Sequence, residues 1–381
     1  IYTALSRSKM SELVIADANL NIQKAMPLLK IEKSSIKNIR MMISDKKKDP
    51  NSFKISNLPA DFTFTVHSTM LALKNQIDNS YMIYESGNLN YTIKLNIDSM
   101  YLKIKLLYPT IDNGFDYKKH IANDISMKPQ LNYIRFKDDS TIYGFATFFY
   151  IDRYDSIVYN DYVAKKELFL LKFVRGKMES ILRIDQKKLF DNGYGINEYG
   201  NFQLLNQNIY FSIGNINYVN DTSTSCMAKY KFTFSNLEFD GITNIKSSEL
   251  YKYHHLAFQD KSIIGDGEIM TMPFSNELIN ISTQEVFELP LSKDLTINDN
   301  PKSVSYGIWD VQNNKNKVFL IYTLKSDVYV GQFDIKSQKF LSKKINITDA
   351  TIPKFTLIED VLYLVHINRN TKDVSYHIIE L

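Results

Sequence analysis

Short strand-like runs bounded by turn residues, and almost never spaced for a helix, constrain this chain more than any other feature. Runs of apolar, β-branched or aromatic residues recur at Ser80 to Tyr84, Tyr91 to Ile97, Thr141 to Tyr150, Glu167 to Val174, Asn208 to Ile213 and Ala228 to Phe234. They continue at Lys317 to Thr323, Asp327 to Phe333, Val361 to Ile367 and Val374 to Ile379. Runs of this length between Asn, Asp, Gly, Ser and Lys read as β-strands. In Tyr230 to Phe234 the residues Tyr230, Phe232 and Phe234 alternate and so share one face of a strand. With 25 Tyr and 23 Phe, the composition also favours pleated, half-buried surface over helix.

The best helical candidate is Leu13 to Ile31, but Pro27 interrupts it and Asn19-Leu20-Asn21 reads as a turn, so two short strands are expected there. Short helical turns fit after Asp185 or Ser247. Tight connections at Ser86-Gly87-Asn88, Asn313 to Asn316 and Asn368 to Thr371 are hairpin turns, and consecutive hairpins without intervening helices make antiparallel meanders.

A degenerate repeat emerges when the chain is aligned on these meanders. Its last unit runs Phe355 to Ile358, Val361 to Ile367, Val374 to Ile379, and the unit before it Val304 to Trp309, Lys317 to Thr323, Val328 to Ile335, Phe340 to Ile345. Comparable first strands begin near Leu256, Phe202, Ile134 and Met70, at a spacing of roughly 50 to 70 residues, which fits four-stranded propeller blades with their loops. Dividing 381 residues by seven gives about 54 per unit. The expectation is therefore an all-β protein, a single β-propeller domain over residues 1–381 with seven blades; six blades plus an N-terminal extension is the alternative. Residues 1–48 form a divergent or ring-closing first blade in this reading.

This unit plan, clearest in Val304 to Ile345 and Phe355 to Ile379, resembles the divergent β-propellers of the TolB-like or YVTN-like kind, including those on secreted and lipid-anchored proteins of Bacteroidetes. The resemblance covers most of the chain by strand pattern, without a Trp-Asp blade signature, a kelch Gly-Gly pair or an Asp-x-Asp-x-Asp-Gly calcium loop. It implies a non-catalytic binding or scaffold module, exported to a periplasmic or cell-surface location. The sequence starts at Ile1 without a basic n-region and apolar h-region, so a mature or trimmed chain is expected, with a lipid anchor on a preceding N-terminus as one form of export.

Charge and cysteine content narrow the function classes. Lys plus Arg number 46 against 42 Asp plus Glu, a net +4, and the one tight basic run, Lys46-Lys47-Lys48, is bracketed by Asp45 and Asp49. A nucleic-acid partner, which needs basic residues gathered on one face, is not expected. The single Cys226 allows neither an intrachain disulfide nor a Cys-based metal site, and no cofactor is expected. Apolar stretches such as Ile142 to Ile151 fall far short of the roughly 20 residues of a helical membrane span.

Candidate chemistry is sparse. His254 and His255 are adjacent, so on a strand they point to opposite faces; they precede an expected inner strand, with Asp266 and Glu268 in the following turn. A carboxylate beside a histidine would give an acid/base pair or a mixed oxygen and nitrogen metal site, whereas the plainer reading is one buried and one exposed ring. His67 precedes the Met70 strand, and Tyr306 and Trp309 lie on another inner strand, so propeller registration would gather all seven residues at a channel mouth as a ligand-binding set. No nucleophile elbow, His-Glu-x-x-His, Walker loop or Gly-x-Gly-x-x-Gly is present, and no catalytic or metal residue is assigned.

The leading expectation is a non-enzymatic module that engages a protein or glycan partner through its loop face or channel mouth. A glycan-active hydrolase or lyase, whose distant carboxylates leave no local motif, is the rival; a structural subunit of a surface or phage assembly is the third reading. Far-ultraviolet circular dichroism is expected to show an almost purely β spectrum, and a dominant helical spectrum would contradict the fold class.

Overall fold

The structure, a computed structural model, describes residues 2–7, 10–16, 22–28, 40–43, 53–56, 62–68, 70–85, 87–107, 130–155, 161–197, 201–215, 224–233, 236–246, 264–271, 275–291, 306–324, 327–347, 353–358, 361–368 and 370–379. The fold is all-β, with several antiparallel sheets, one of them curled into a half-barrel. The chain divides into two compact units: Ile1–Thr92 with Lys343–Leu381, and Ile93–Ser342.

In the first unit, β1 (Tyr2–Arg7), β2 (Met10–Ala16) and β3 (Ile22–Leu28) form a three-stranded antiparallel sheet. The Leu13 to Ile31 stretch is thus strand, turn, strand. Pro27 sits in β3, an edge strand of this sheet, which is where strands accommodate proline. Next come β4 (Arg40–Ile43) and β5 (Phe53–Ser56), then the meander β6 (Phe62–His67), β7 (Met70–Asn75), β8 (Tyr81–Glu85) and β9 (Asn88–Ile93). Met70 therefore opens the second strand of its meander, not the first. Phe62, Phe64 and Val66 alternate with Thr63, Thr65 and His67, and this polar alternation hides a real strand ahead of the more apolar run.

In the second unit, helix α1 (Ile97–Leu107) interrupts the strands, which the run Tyr91 to Ile97 had not led us to expect. Asn96 caps it: the Ser99 backbone N–H donates to Asn96 Oδ1 at 2.9 Å. Met100 and Ile104, four residues apart, form its buried stripe, while Leu102 and Leu106 are exposed. There follow β10 (Gln130–Phe136), β11 (Thr141–Asp155), β12 (Asp161–Val174) and β13 (Lys177–Ile184). The short helix α2 (Lys187–Asp191) appears where the sequence allowed a turn after Asp185, and leads to β14 (Tyr194–Ile196), β15 (Phe202–Leu205), β16 (Asn208–Asn215), β17 (Thr224–Phe232) and β18 (Asn236–Lys246). These nine strands make one sheet, but it consists of two meanders, β10 to β13 and β14/β15 to β18, joined by a two-residue parallel contact between β13 and β18.

Two four-stranded antiparallel sheets complete the series of this unit: β19 (Ile264–Asp266), β20 (Ile269–Thr271), β21 (Glu277–Asn280), β22 (Glu285–Glu288); then β23 (Tyr306–Asn314), β24 (Lys317–Leu324), β25 (Asp327–Asp334), β26 (Lys339–Ile345). Finally β27 (Lys354–Ile358), β28 (Val361–Ile367) and β29 (Val374–Ile379) belong to the first unit, where β29 pairs with the N-terminal β5 and β5 with β4. The strand that extends the C-terminal sheet, β5, lies beyond residues 1–48, the segment expected to supply a first blade; of that segment β4 joins this sheet, through β5.

The second strand of each of the six meanders is buried on both faces. Consecutive residues out of water include Leu71-Ala72-Leu73 in β7, Ile142 to Phe148 in β11, Ile209 to Ile213 in β16, Ile269-Met270-Thr271 in β20, Val318 to Tyr322 in β24 and Leu362 to Ile367 in β28. A strand with one wet face would alternate; continuous burial means that layers cover it on both sides. Large aromatic rings fill the gaps, as where Phe211 meets Phe145 at 5.3 Å and Tyr230 edge-on at 5.6 Å.

Two positions test this packing. A Cβ on Gly331 of β25 would lie 2.6 Å from the Phe340 ring, so Gly331→Ala is expected to lower unfolding stability by about 1–3 kcal/mol through overpacking, measured by urea denaturation. The Tyr230 hydroxyl is fully buried with no hydrogen-bond partner among the described residues, and burial drives its pKa upward. Tyr230→Phe removes a desolvated hydroxyl at constant packing and is expected to leave stability unchanged or raise it by about 1 kcal/mol in the same assay.

Candidate functional site

The residues singled out from sequence separate into three groups. His254 and His255 lie outside the described residues. His67 ends β6 in the first unit, half-buried, paired across the strands with Met70. Asp266, Glu268 and Trp309 belong to the second unit, and Tyr306 opens β23 there.

The first strands of successive meanders lie side by side within each unit: β10 beside β15, β15 beside β19 and β19 beside β23 in one, β27 beside β6 in the other. Hydrogen bonds tie them near the turns that follow. The Asn313 backbone N–H donates to Asp266 Oδ2 at 2.9 Å, linking the β19–β20 turn to the end of β23. Arg135, near the end of β10, donates from Nη2 to the Gly265 carbonyl at 2.7 Å. Three meanders thus meet through one five-residue segment, Ile264 to Glu268. Gly267 holds a positive φ of 56° at its tip, and a Cβ on Gly265 would collide with the Ile269 carbonyl oxygen, so both glycines answer to the tightness of this hairpin. In the first unit the same kind of tie joins the Ser68 N–H to Thr356 Oγ1 at 3.0 Å.

Asp266 therefore acts as a brace on main chain. Glu268, at the same tip, gives its carbonyl to the Ile281 N–H. Arg135 and Asn313 were not picked out from sequence. Arg135 sits among Tyr133, Ile134 and Phe136 like any outward strand residue, and only the neighbouring meander reveals its reach.

Trp309 is placed by a β-bulge. The β23–β24 register shifts between Ile308 and Asp310, and the re-aimed Trp309 indole Nε1–H donates to Thr323 Oγ1 at 2.9 Å. The first strand of another meander carries the same device. The β10–β11 register shifts between Leu131 and Tyr133, and Asn132 Nδ2 donates to Thr147 Oγ1 at 2.6 Å. In both cases the threonine lies opposite the residue two before the bulge, Gly307 or Gln130. This repeated geometry is an internal similarity between meanders that no residue identity discloses, since Trp and Asn share only an N–H donor.

Several charges on β12, β13, β17 and β18 are paired. Arg183 clasps Glu167 with Nε at 3.0 Å and Nη2 at 2.7 Å, Lys172 pairs with Glu179, and Asp240 receives Lys229 at 2.8 Å and Lys231 at 2.7 Å. Among the described residues no three His, Cys, Asp or Glu side chains gather to hold a metal ion. No described helix is long and apolar enough to cross a membrane.

No model of a known protein family matches the chain, and no curated protein matches it by sequence. Solved structures with similar backbones include a candidate exported protein of Bacteroides fragilis, 11% identical over 84% of this chain and 90% of that one, with a TM-score of 0.41. The major allergen Mala s 1 of Malassezia sympodialis is 7% identical over 84% of this chain and 92% of that one, with a TM-score of 0.43. A luciferin-regenerating enzyme is 9% identical over 82% of this chain and 88% of its own, with a TM-score of 0.40.

Two outcomes check this geometry. Replacing Thr323 by Val removes the indole's acceptor, and a double-mutant cycle with Trp309→Phe is expected to show a coupling of about 1 kcal/mol in denaturant unfolding; additive losses would place the indole elsewhere. Hydrogen bonds from Lys229 and then Lys231 hold the Asp240 carboxyl below its ordinary pKa. Its contribution is therefore present above the unfolded-state pKa near 4 and is lost as pH falls through the lower folded value. Asp240→Asn is expected to flatten the acid-side fall of melting temperature relative to the parent chain.

Proposed function

We propose that the chain is a β-propeller that works as a non-enzymatic binding or scaffold module, engaging a protein or glycan partner at the turn ends of its inner strands. The six meanders of four or five strands among the described residues support six blades, with β5 closing the last one, over the seven that length alone favours. The three-stranded N-terminal sheet is an extension in this reading, and residues 1–381 are one ring-forming domain. Two-sided burial of every second strand and the side-by-side first strands are what blade packing requires.

One observation carries the functional reading: the Ile264–Glu268 hairpin collects Arg135 and Asn313 from two other meanders while the Asp266 carboxylate is occupied by a main-chain N–H. A carboxylate held this way suits a rigid recognition surface better than proton transfer, and a turn on which one meander's side chain and another's main chain converge is a fitting base for a ligand site in a ring-shaped fold. Glu268, Arg135 and Trp309 are the residues we assign to it. An exported location, with a lipid anchor ahead of the chain, belongs to the same proposal through the resemblance to envelope propellers.

The test is affinity capture from native envelope and culture fractions with the purified chain as bait, alongside the Arg135→Glu/Glu268→Lys variant. The proposal expects one stoichiometric protein or a defined glycan on the parent chain and at least a tenfold loss on the variant, with Glu268→Lys alone, which leaves the Arg135–Gly265 bond in place, giving a loss at unchanged melting temperature. Equal capture by both would move the partner site elsewhere. Turnover of the captured glycan, abolished by Glu268→Gln, would replace the binding reading with the hydrolase or lyase one.

A further inference from the structure

Strand β26 is unusual among the described strands. Among the described residues it ends its sheet's order, and Lys339, Leu341, Ser342, Lys343 and Lys344 of its seven residues are exposed. Its inner face is fixed by Phe340, whose ring lies 6.2 Å from that of Tyr322, and by Ser342, whose hydroxyl is 2.7 Å from the Tyr322 hydroxyl. Alternation then puts Lys339, Leu341 and Lys343 together on the opposite face. Lys336 precedes them in the connecting turn. The ten residues Lys336 to Ile345 hold four lysines and no acid, a local charge as large as the net +4 of the whole chain.

Lysines on an edge strand ordinarily keep sheets of different molecules apart. That explains Lys339 and Lys343 but not Leu341, which stands between them 60% exposed. A leucine there weakens the protection, whereas the alternation Lys-x-Leu-x-Lys is the complement of an extended segment reading Glu-x-Val-x-Glu. Opposite charges and apolar pairs facing each other across two strands both stabilise the pairing, and main-chain bonding to an exposed sheet edge is an established mode of peptide capture.

We propose that β26 is a docking edge for an acidic, extended segment of a protein partner, which adds to the sheet as a further strand with acidic side chains opposite Lys339 and Lys343 and an apolar one opposite Leu341. This surface lies on the fourth strand of its meander and does not depend on the inner-strand site.

The probe is a fluorescein-labelled peptide, Thr-Glu-Thr-Val-Thr-Glu-Thr, titrated with the full chain and followed by anisotropy. Three comparisons accompany it: a peptide with Lys in place of both Glu, a peptide N-methylated at alternate main-chain nitrogens, and the Lys339→Glu/Lys343→Glu variant. The variant Lys177→Glu/Lys187→Glu, which carries the same change of charge at exposed positions elsewhere, controls for net charge. The expected result is saturable binding of the acidic peptide, weakened at least tenfold by each of the two peptide changes and by Lys339→Glu/Lys343→Glu, and less than twofold by the control. Absence of binding, or binding that N-methylation or the Lys339/Lys343 exchange leaves intact, would overturn the proposal; in the latter case the acidic peptide would be held by diffuse charge alone.

Discussion

Burial of the second strand of every meander on both faces is the constraint from which the rest of the structure follows. A strand such as β24, with Val318 to Tyr322 all out of water, needs one layer packed on each side. Within each unit neighbouring meanders pack together with their first strands side by side. The Arg135 and Asp266 ties are a consequence. Once the β19–β20 hairpin is wedged beside β23, its carbonyl and carboxylate are within reach of groups from other meanders, and their hydrogen bonds fix the turn at little further entropic cost.

The same constraint explains what could be seen in the sequence. Doubly buried strands are continuous apolar runs, and these were legible: Val361 to Ile367 coincides with β28 to the residue. Half-buried strands were harder. β6, with Thr63, Thr65 and His67 on one face, lacks an apolar run, and the meander was therefore begun one strand late at Met70. Helix α1 was missed because Ile97, Met100 and Ile104 continue the apolar texture of the preceding strand. The cap at Asn96 was its signal, a polar residue three before Ser99 at the point where the alternation stops.

The candidate site was less legible than the fold. Asp266, Glu268 and Trp309 were chosen for their residue types, yet what places them is backbone: a tight hairpin with two glycines in one case, a β-bulge in the other. Arg135 lies 130 residues from Gly265, whose carbonyl it binds, Asn313 lies 47 from Asp266 and Thr323 lies 14 from Trp309, and no local pattern joins them. The Trp309–Thr323 and Asn132–Thr147 pairs show how far such divergence goes, since two meanders keep the same bulge and the same threonine acceptor while the donor changes from indole to amide.

Native-state hydrogen exchange measured residue by residue tests the central claim most directly, because amides shielded by layers on both sides open only with the whole unit. The account predicts that the slowest-exchanging amides fall in β7, β11, β16, β20, β24 and β28, with the fourth strands β22 and β26 exchanging far faster. Protection that is uniform across each sheet, or greatest in the outer strands, would contradict a fold organised around doubly buried second strands.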